Sequence, residues 1–458
     1  MICRILSLVI LTGLLLSGCG KEEKKPVVTT PLLRIGVLSD LHINADTRYS
    51  VYDRLEKALM FYKEKGVDGI VIAGDLQDKY DLPSAISAME EFEEIWQRVF
   101  PNNINDLTGE YVTPLFVYGN HDEAMVHDSY WFENMGSEYE DVWIQEVKGY
   151  QFVGIHYTKE NDPQVQKKLE QAKEASPDKP FFFIQHVPMA DSIIGGTTSY
   201  DGNSIPKQDS ILRSYNCVVF TGHTHIPITD ERTIWQSTSK KQAQYTVVSC
   251  GTLHYSFLGD YSDLTVNGDE HQTQQGMYMV VDGSQITLER YSFTDMEIDY
   301  VNGNAQINMD DAKLIGAPWT FDAMDKKDRP YDYNKREQKA VAPAFPAGTT
   351  LEVSELTATS ATITVPAASV ESPEGFSDVV QSYYAKITDT ATGEVVAIVE
   401  VAAPYHIDTE PESINQPVTI YLTELTPNTA YTISVYAREC YQKASEPLLL
   451  EMQTMIGE

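Results

Sequence analysis

The stretch Leu33–His42 reads L-R-I-G-V-L-S-D-L-H and determines how we interpret the first half of the chain. Its apolar run, Leu33–Ser39, predicts a β-strand. Asp40 and His42 follow this strand directly, and both side chains can ligate metal ions. A D-x-H at a strand end places both side chains on the same side, so that both can reach one ion. We therefore expect a functional site at the carboxyl end of this strand.

Four further motifs follow predicted strands in the same way. They read G-D-L-Q-D, G-N-H-D, Q-H and G-H-T-H, at Gly74–Asp78, Gly119–Asp122, Gln185–His186 and Gly222–His225. One such motif alone is weak evidence for a metal site, because short Asp or His strings often belong to ordinary capped loops. Five in succession form a strong signal, since ligand sites in layered α/β folds lie at the carboxyl ends of strands. The Asp, Asn and His donors, without a thiolate, suit Mn, Fe or Zn.

Strand-like and helical patterns alternate through this part of the chain. Helices are predicted around residues 51–62, 84–99 and 164–175, where apolar residues recur with a helical period. Strands are predicted at 33–39, 69–73, 115–118, 142–147, 150–156, 181–185 and 218–221, and then, without intervening helices, at 245–249, 277–281 and 285–291. The alternation predicts a layered α/β domain over residues 32–292, with helices flanking the sheets.

The remainder of the chain changes character twice. Residues 293–348 show no sustained period and are interpreted as an extension or linker. Beyond them, short alternating segments at 362–365, 382–388, 395–401, 418–422 and 432–437 predict an all-β sandwich over residues 349–455. Within it, Leu425–Ala437 resembles the fibronectin type III signature, which implies a corner hydrogen bond from Tyr431. The early-strand Trp of that signature is absent near Val365.

The amino terminus has the pattern of an export signal. Arg4 precedes the apolar run Ile5–Leu16, which is followed by the small residues Ser17 and Gly18. Leu16–Cys19 resembles the bacterial lipobox, which implies removal of residues 1–18 and lipid attachment at Cys19. Residues 19–31 would then be a flexible tether. We expect an exported protein, anchored by lipid alone in the bacterial cell envelope, at its periplasmic face or at the cell surface.

Over residues 32–292 the five motifs resemble those of the calcineurin-like metallophosphoesterase family. The resemblance implies two divalent metal ions, Mn, Fe or Zn. The first ion would be held by Asp40, His42 and His225. Asp75 would bridge both ions, and the second would be completed by Asn120, His186 and His223. His121 would stand beside the ions as a general acid, with Asp122 orienting its ring. Asp78 stands where purple acid phosphatases carry the Tyr of G-D-x-x-Y, so a Tyr-ligated iron is not expected.

The resemblance also implies a reaction. A hydroxide held between two ions would attack phosphorus in line while the ions neutralise the phosphoryl oxygens. The substrate would be a small phosphomonoester or phosphodiester. The alternative is a surface binding or adhesion lipoprotein, in which the metal domain is a scaffold and the sandwich recognises a glycan or a protein partner. Decayed ligand positions would favour that alternative, and all seven positions are present.

Charge excludes one class of partner. The chain carries 34 Lys and Arg against 67 Asp and Glu, a formal net charge of −33. Binding to duplex nucleic acid depends on clustered cations that release counterions from the phosphate backbone. We therefore expect no nucleic-acid duplex as a partner. A small phosphoester is not excluded, because it would meet the metal ions in a confined pocket.

Residues outside the motifs receive simpler interpretations. Cys217, Cys250 and Cys440 are expected to be free core residues, with a Cys217–Cys250 pair as the open alternative. His156 and His254 either line the substrate pocket or are structural. The remaining histidines of polar stretches are expected to be solvated, namely His127, His271 and His406.

Overall fold

The computed structural model describes residues 32–43, 48–125, 135, 140–157, 162–189, 192, 211–236, 245–257, 265–266, 274–302, 304–372, 376–409 and 411–457. The predicted signal peptide, the tether and the lipidation site Cys19 lie outside these residues, as do His127 and His271. Among the described residues, no helix combines the length and the apolar character needed to cross a membrane. The predicted domain boundaries stay predictions.

The described helices, in chain order, are α1 Arg48–Lys65, α2 Leu82–Val99, α3 Gln164–Ala175, α4 Tyr333–Lys339 and α5 Tyr405–Asp408. The strands of the first part are β1 Leu33–Leu38, β2 Gly69–Ala73, β3 Thr113–Val117, β4 Val142–Val147, β5 Tyr150–Ile155, β6 Phe181–Ile184, β7 Cys217–Thr221, β8 Ile234–Gln236, β9 Thr246–Ser249, β10 Ser256–Phe257, β11 Thr265–Val266, β12 Gln275–Asp282 and β13 Gln285–Ser292.

The strands that follow are β14 Asp299–Val301, β15 Asn304–Gln306, β16 Lys313–Leu314, β17 Trp319–Asp322, β18 Glu352–Ser354, β19 Ala361–Val365, β20 Val380–Asp389, β21 Val395–Ala402, β22 Val418–Leu422, β23 Ala430–Glu439 and β24 Leu448–Gln453. β16 and β17 lie in the stretch interpreted as an extension, and both pair with β13. That stretch therefore adds strands to the edge of the first sheet.

Two mixed sheets form the first part of the fold. One has the order β16-β13-β12-β1-β2-β3, with β17 also on β13, and the other has the order β4-β5-β6-β7-β9-β8. β1, β2 and β3 are mutually parallel, and so are β5, β6, β7 and β9. Their carboxyl ends therefore lie together at one edge of each sheet, where the polar motifs follow.

Apolar side chains hold the layers in place. Val37 and Val71 of the first sheet share one buried cluster with Phe182 and Phe220 of the second, so the two sheets pack face to face. The opposite face of the first sheet is covered by α1 and α2, through residues such as Leu59. The opposite face of the second is covered by α3. These four layers confirm the predicted α/β fold with helices flanking the sheets.

The carboxyl-terminal strands form two further sheets, in the orders β18-β19-β22 and β21-β20-β23-β24. Ile363 and Ile420 of one sheet share a buried cluster with Ile387 and Ile433 of the other. The arrangement is consistent with the predicted β-sandwich. The hydroxyl oxygen of Tyr431 accepts a hydrogen bond from the backbone amide of Thr426, at 2.9 Å. The assignment to the fibronectin type III class stays a proposal.

Two expectations about single residues are decided by burial. Cys217, Cys250 and Cys440 are free and buried, as predicted, and the alternative Cys217–Cys250 bond is not formed. The prediction that His406 is solvated was wrong, because its side chain is only 1% exposed. Its ring lies between the sandwich and the segment that follows the G-H-T-H motif.

Candidate metal centre

The predicted ligands converge from the loops that follow five parallel strands. Asp40 follows β1, Asp75 follows β2 and Asn120 follows β3 in the first sheet. His186 follows β6 and His223 follows β7 in the second sheet. Because the carboxyl ends of parallel strands share an edge, these loops meet where the two sheets face each other. The structure thus brings together residues that are up to 185 positions apart in the sequence.

The first group of donor atoms comes from Asp40, His42, Asp75 and His225, all buried and with one ligand atom each within 4.8 Å of the others. The Nε2 atom of His225 lies 3.1 Å from Oδ1 of Asp40. The Nε2 atoms of His42 and His225 are 3.0 Å apart. His42 Nε2 also lies 3.8 Å from Oδ2 of Asp75. This is the set that the sequence predicts for the first ion.

The second group shares Asp75 with the first. Oδ2 of Asp75 lies 3.1 Å from Nε2 of His186. Oδ1 of Asn120 lies 2.9 Å from that nitrogen and 2.8 Å from Nδ1 of His223. Asp75 thus belongs to both groups, which is the position that a bridging carboxylate requires. All seven predicted ligands lie together, and their roles as ligands stay predictions.

Hydrogen bonds behind the histidines show that the donor set fits divalent cations. Nδ1 of His225 lies 2.9 Å from the carbonyl of Tyr255, and Nδ1 of His186 lies 2.8 Å from that of Ala73. A carbonyl only accepts, so each Nδ1 carries a proton, and in the neutral form of each ring, the form that binds a metal, Nε2 presents its lone pair to the site. Lone pairs of nitrogen and oxygen atoms that converge at about 3 Å repel one another unless a cation lies between them.

The backbone of the ligand loops is held in an unusual conformation. Five ligand residues lie in the left-handed region at positive φ: Asp40 at 52°, His42 at 46°, Asp75 at 51°, His223 at 72° and His225 at 51°. Residues other than glycine rarely adopt this region, and each such residue costs about 1–3 kcal/mol, which the surrounding structure must offset. The concentration of strain at these residues is typical of a functional site.

His121 has a different partner from the one predicted. We expected Asp122 to orient its ring, but the Asp122 carboxylate accepts hydrogen bonds from the backbone amides of Leu76, Gln77 and Gly119. Asp122 therefore joins the loops that follow β2 and β3. The carboxylate that contacts His121 is that of Asp78, with Oδ1 2.5 Å from Nδ1.

Electrostatics favour a protonated His121 beside an ionised Asp78. The hydrogen bond to Asp78 raises the pKa of His121 against the opposing effect of burial, and the charge of Asp75 adds to the increase. Burial would raise the pKa of Asp78, but its hydrogen bonds to His121 and His42 hold it well below the usual range. In the metal-free chain His121 therefore keeps its proton to higher pH than a free histidine does.

Three residues beside the centre were missed by sequence reasoning or left open there. The Tyr80 hydroxyl lies 3.3 Å from Nδ1 of His121, and its side chain is 77% exposed. Tyr255 packs on His225 with ring centroids 4.2 Å apart, and His254 lies 5.5 Å from His42. The sequence feature that could have indicated Tyr80 was its position two residues after the G-D-L-Q-D motif. His156, in contrast, is buried and accepts from the backbone amide of Tyr118, which fits the structural interpretation.

Two donor groups that share one carboxylate, at the strand ends of a layered α/β fold, define a candidate dinuclear metal centre of the hydrolytic type. Residues 33–227 match the family model described as Calcineurin-like phosphoesterase. These residues thus form a domain similar to the calcineurin-like phosphoesterases. No curated protein sequence gives a significant match.

Solved structures similar to this chain include phosphatases. A purple acid phosphatase from yellow lupin (Lupinus luteus) seeds is 13% identical with a TM-score of 0.40, over 60% of this chain and 53% of the lupin chain. This chain thus spans about half of that protein's length. A dimetal phosphatase from Danio rerio is 10% identical with a TM-score of 0.37, over 57% of this chain and 96% of that chain. Similarities of this size carry no argument about the substrate.

The glycine of the G-H-T-H motif provides a test of the close packing around the centre. A Cβ atom at Gly222 would collide with the Asp40 carboxylate, the Ser39 hydroxyl and the Ala73 carbonyl. We expect Gly222→Ala to displace the first donor group and to lower the affinity for Mn²⁺ at least about 10-fold. Gly109→Ala is the control for backbone strain without a collision, because Gly109 lies at a positive φ of 74° and a Cβ there meets nothing within 4 Å. Equal Mn²⁺ affinity of both variants in calorimetric titration would contradict the geometry.

Proposed function

We propose that the chain is a metal-dependent phosphoester hydrolase. The observation that supports this most directly is the position of Asp75, whose Oδ2 atom lies within 3.8 Å of both His42 Nε2 and His186 Nε2. One carboxylate placed between two imidazole groups suits a pair of divalent ions that act together on a phosphate ester. The match of residues 33–227 to the phosphoesterase family supports the same reaction class.

The ligand residues would hold two ions of the Mn, Fe or Zn type. When bound, such ions activate water at neutral pH and neutralise charge on the phosphoryl oxygens. His121 is positioned to protonate the leaving oxygen, because it lies beside the donor groups and bonds to Asp78 through Nδ1. That bond leaves Nε2 of His121 available for the substrate. Asp78 is a positioning residue, whose carboxylate contacts Nδ1 of His121 and lies 3.8 Å from Nδ1 of His42.

The proposed substrate is a small phosphomonoester or phosphodiester. The net charge of −33 opposes the approach of large polyanions, as the composition already indicates. Within the centre, cations bound to Asp40 and Asp75 would reverse the local sign of charge. A small ester can reach that pocket without lying along the acidic surface.

Asp75→Asn tests the proposed reaction. We expect hydrolysis of a chromogenic phosphomonoester or phosphodiester with Mn²⁺ or Zn²⁺, and its loss with a chelator. Asp75→Asn should lower kcat at least about 100-fold, because it removes the charge shared by both donor groups. Asp106→Asn, at a carboxylate that is 61% exposed, is the surface control. Activity that survives both chelation and Asp75→Asn would refute the two-metal mechanism.

A second experiment separates proton transfer from positioning. A general acid contributes about 10²–10⁴-fold where the leaving group is a poor one, and much less where it is a good one. His121→Ala should therefore slow hydrolysis of an alkyl phosphate by that factor and of p-nitrophenyl phosphate only slightly. Asp78→Asn should show the same selectivity to a smaller degree.

Asp122→Asn is the matched control for that experiment. Its carboxylate bonds to backbone amides and not to the His121 ring, so it should affect both substrates by the same factor. An equal effect of His121→Ala on both substrates would contradict its role as the acid. An effect of Asp122→Asn that depends on the leaving group would restore the role first predicted for that residue.

We also propose that the protein is exported and lipid-anchored in the cell envelope. The proposal rests on the apolar run Ile5–Leu16 and on the lipobox-like string that ends at Cys19. A single acyl chain binds membranes weakly, so stable anchoring requires more than one chain. The proposal for the carboxyl-terminal sandwich is a fibronectin type III class, supported by the Tyr431 corner bond.

Cys19→Ala tests the anchor in the full-length chain. The wild type should fractionate with membranes and incorporate a labelled fatty acid, whereas Cys19→Ala should do neither. Cys440→Ala is the control, because that cysteine is buried in the fold and should not be acylated. Fatty-acid labelling that persists in Cys19→Ala would show that the lipid attaches elsewhere or that the signal was misassigned.

A further inference from the structure

A buried polar cluster begins four residues after the last histidine of the G-H-T-H motif. It lies between the phosphoesterase sheets, the arm that contains α4 and the carboxyl-terminal sandwich, and we call it the junction cluster. All its side chains are buried. Its members are Thr229, Asp230, Glu231, Arg232, Arg290, Arg336, Gln381 and His406.

Two residues of the sandwich, His406 and Gln381, contact the segment 229–232 directly. Nε2 of His406 lies 3.1 Å from the carbonyl of Val380, so this nitrogen carries the ring proton. Nδ1 of His406 is then an acceptor, and the Thr229 hydroxyl donates to it at 2.6 Å. Burial lowers the pKa of His406 to about 4, which keeps the ring neutral in this arrangement. Gln381 donates from Nε2 to Oδ2 of Asp230 at 3.1 Å.

Charged groups hold the same segment from the other sides. Glu231 accepts from Arg290 at 2.7 Å, from Arg336 at 2.9 Å and from the indole nitrogen of Trp319 at 3.1 Å. Arg290 also donates to the carbonyl of Ile228 at 2.8 Å. Because Ile228 is three residues from His225, these bonds fix the backbone just beyond the metal centre.

The strained loop needs such support. His223 and His225 both lie at positive φ, a conformation that persists only where the surrounding structure determines it. The strand β7 fixes the loop on its amino-terminal side. On its carboxyl-terminal side the chain continues into the junction cluster, whose side chains come partly from the sandwich.

We propose that the carboxyl-terminal sandwich is a positioning element of the metal centre, which acts through Gln381 and His406 on the segment that carries His223 and His225. The inference rests on the metal-binding part of the proposed function and not on hydrolysis. Gln381 and His406 are positioning residues, since their described side-chain hydrogen bonds go to Thr229, Asp230, Val380 and Gln442 and not to a predicted metal ligand.

The test measures metal affinity in the full chain. Gln381→Ala removes the bond to Asp230, and Thr229→Val removes the hydroxyl bonded to His406 while it keeps the side-chain volume. Each variant is stripped with a chelator and titrated with Mn²⁺ by calorimetry, alongside thermal unfolding. We expect about 10-fold weaker Mn²⁺ binding in both variants, the loss typical of groups that support metal ligands. Thr229→Ser, which keeps the hydroxyl, should bind as the wild type does.

Tyr431→Phe provides the control for general destabilisation of the sandwich. It removes the hydroxyl that bonds to Thr426, within the sandwich and outside the junction cluster. We expect a lower Tm with unchanged Mn²⁺ affinity. If Gln381→Ala and Thr229→Val lower only Tm, or if Tyr431→Phe weakens Mn²⁺ binding equally, the positioning role is refuted.

Other outcomes separate this inference from the proposed reaction. A wild type that binds Mn²⁺ but hydrolyses no phosphoester refutes the hydrolase and leaves the junction result valid. A wild type that binds no divalent ion refutes both proposals. If Thr229→Val does not fold, Gln381→Ala decides the matter, because Asp230 keeps its bonds to Arg232 in that variant.

Discussion

The structure depends on the burial of two neighbouring carboxylates. Asp40 and Asp75 are each at most 1% exposed, and both belong to one group of donor atoms. A buried charge is costly unless it is paired, and two like charges in one pocket increase that cost. Burial would raise the pKa of Asp75, but His186 and His42 hold it well below the usual range. The carboxylates are therefore ionised, and the pocket requires positive charge.

Because these donor atoms are held close together, the backbone around them has little conformational freedom. The loops cannot relax away from one another, because Asp122 joins the loops after β2 and β3 through three backbone amides. The conformation of the loop after β7 is restricted in a comparable way, by the hydrogen bonds of Glu231 to Arg290 and Arg336. A Cβ atom at Gly119 would collide with Asp75, so even small side chains are excluded between the loops. Conformational strain at the ligands is thus balanced by packing and hydrogen bonds elsewhere.

The layered fold and the convergence of the candidate ligands could be predicted because their signals are local. Asp40, Asn120 and His223 each follow their strand within a few residues, so strand prediction places them at one edge. The partner of His121 could not be predicted, since Asp78 and Asp122 are both near it in sequence and only the loop path decides between them. His406 was misread because its burial depends on Thr229, which is 177 positions away. The polar residues around His406 in the sequence give no indication of such a contact.

The junction cluster bears on the role of the carboxyl-terminal sandwich. Glu231 lies between Arg290 and Arg336, a buried charged triad. Loss of the sandwich would remove the rings of Phe376 and Tyr441 from the Arg336 guanidinium and leave Asp230 without Gln381. A module that served only to bind a glycan or protein partner would not need such contacts behind the loop that carries His223 and His225. The junction cluster therefore favours an internal role for the sandwich, alongside any binding at its outer face.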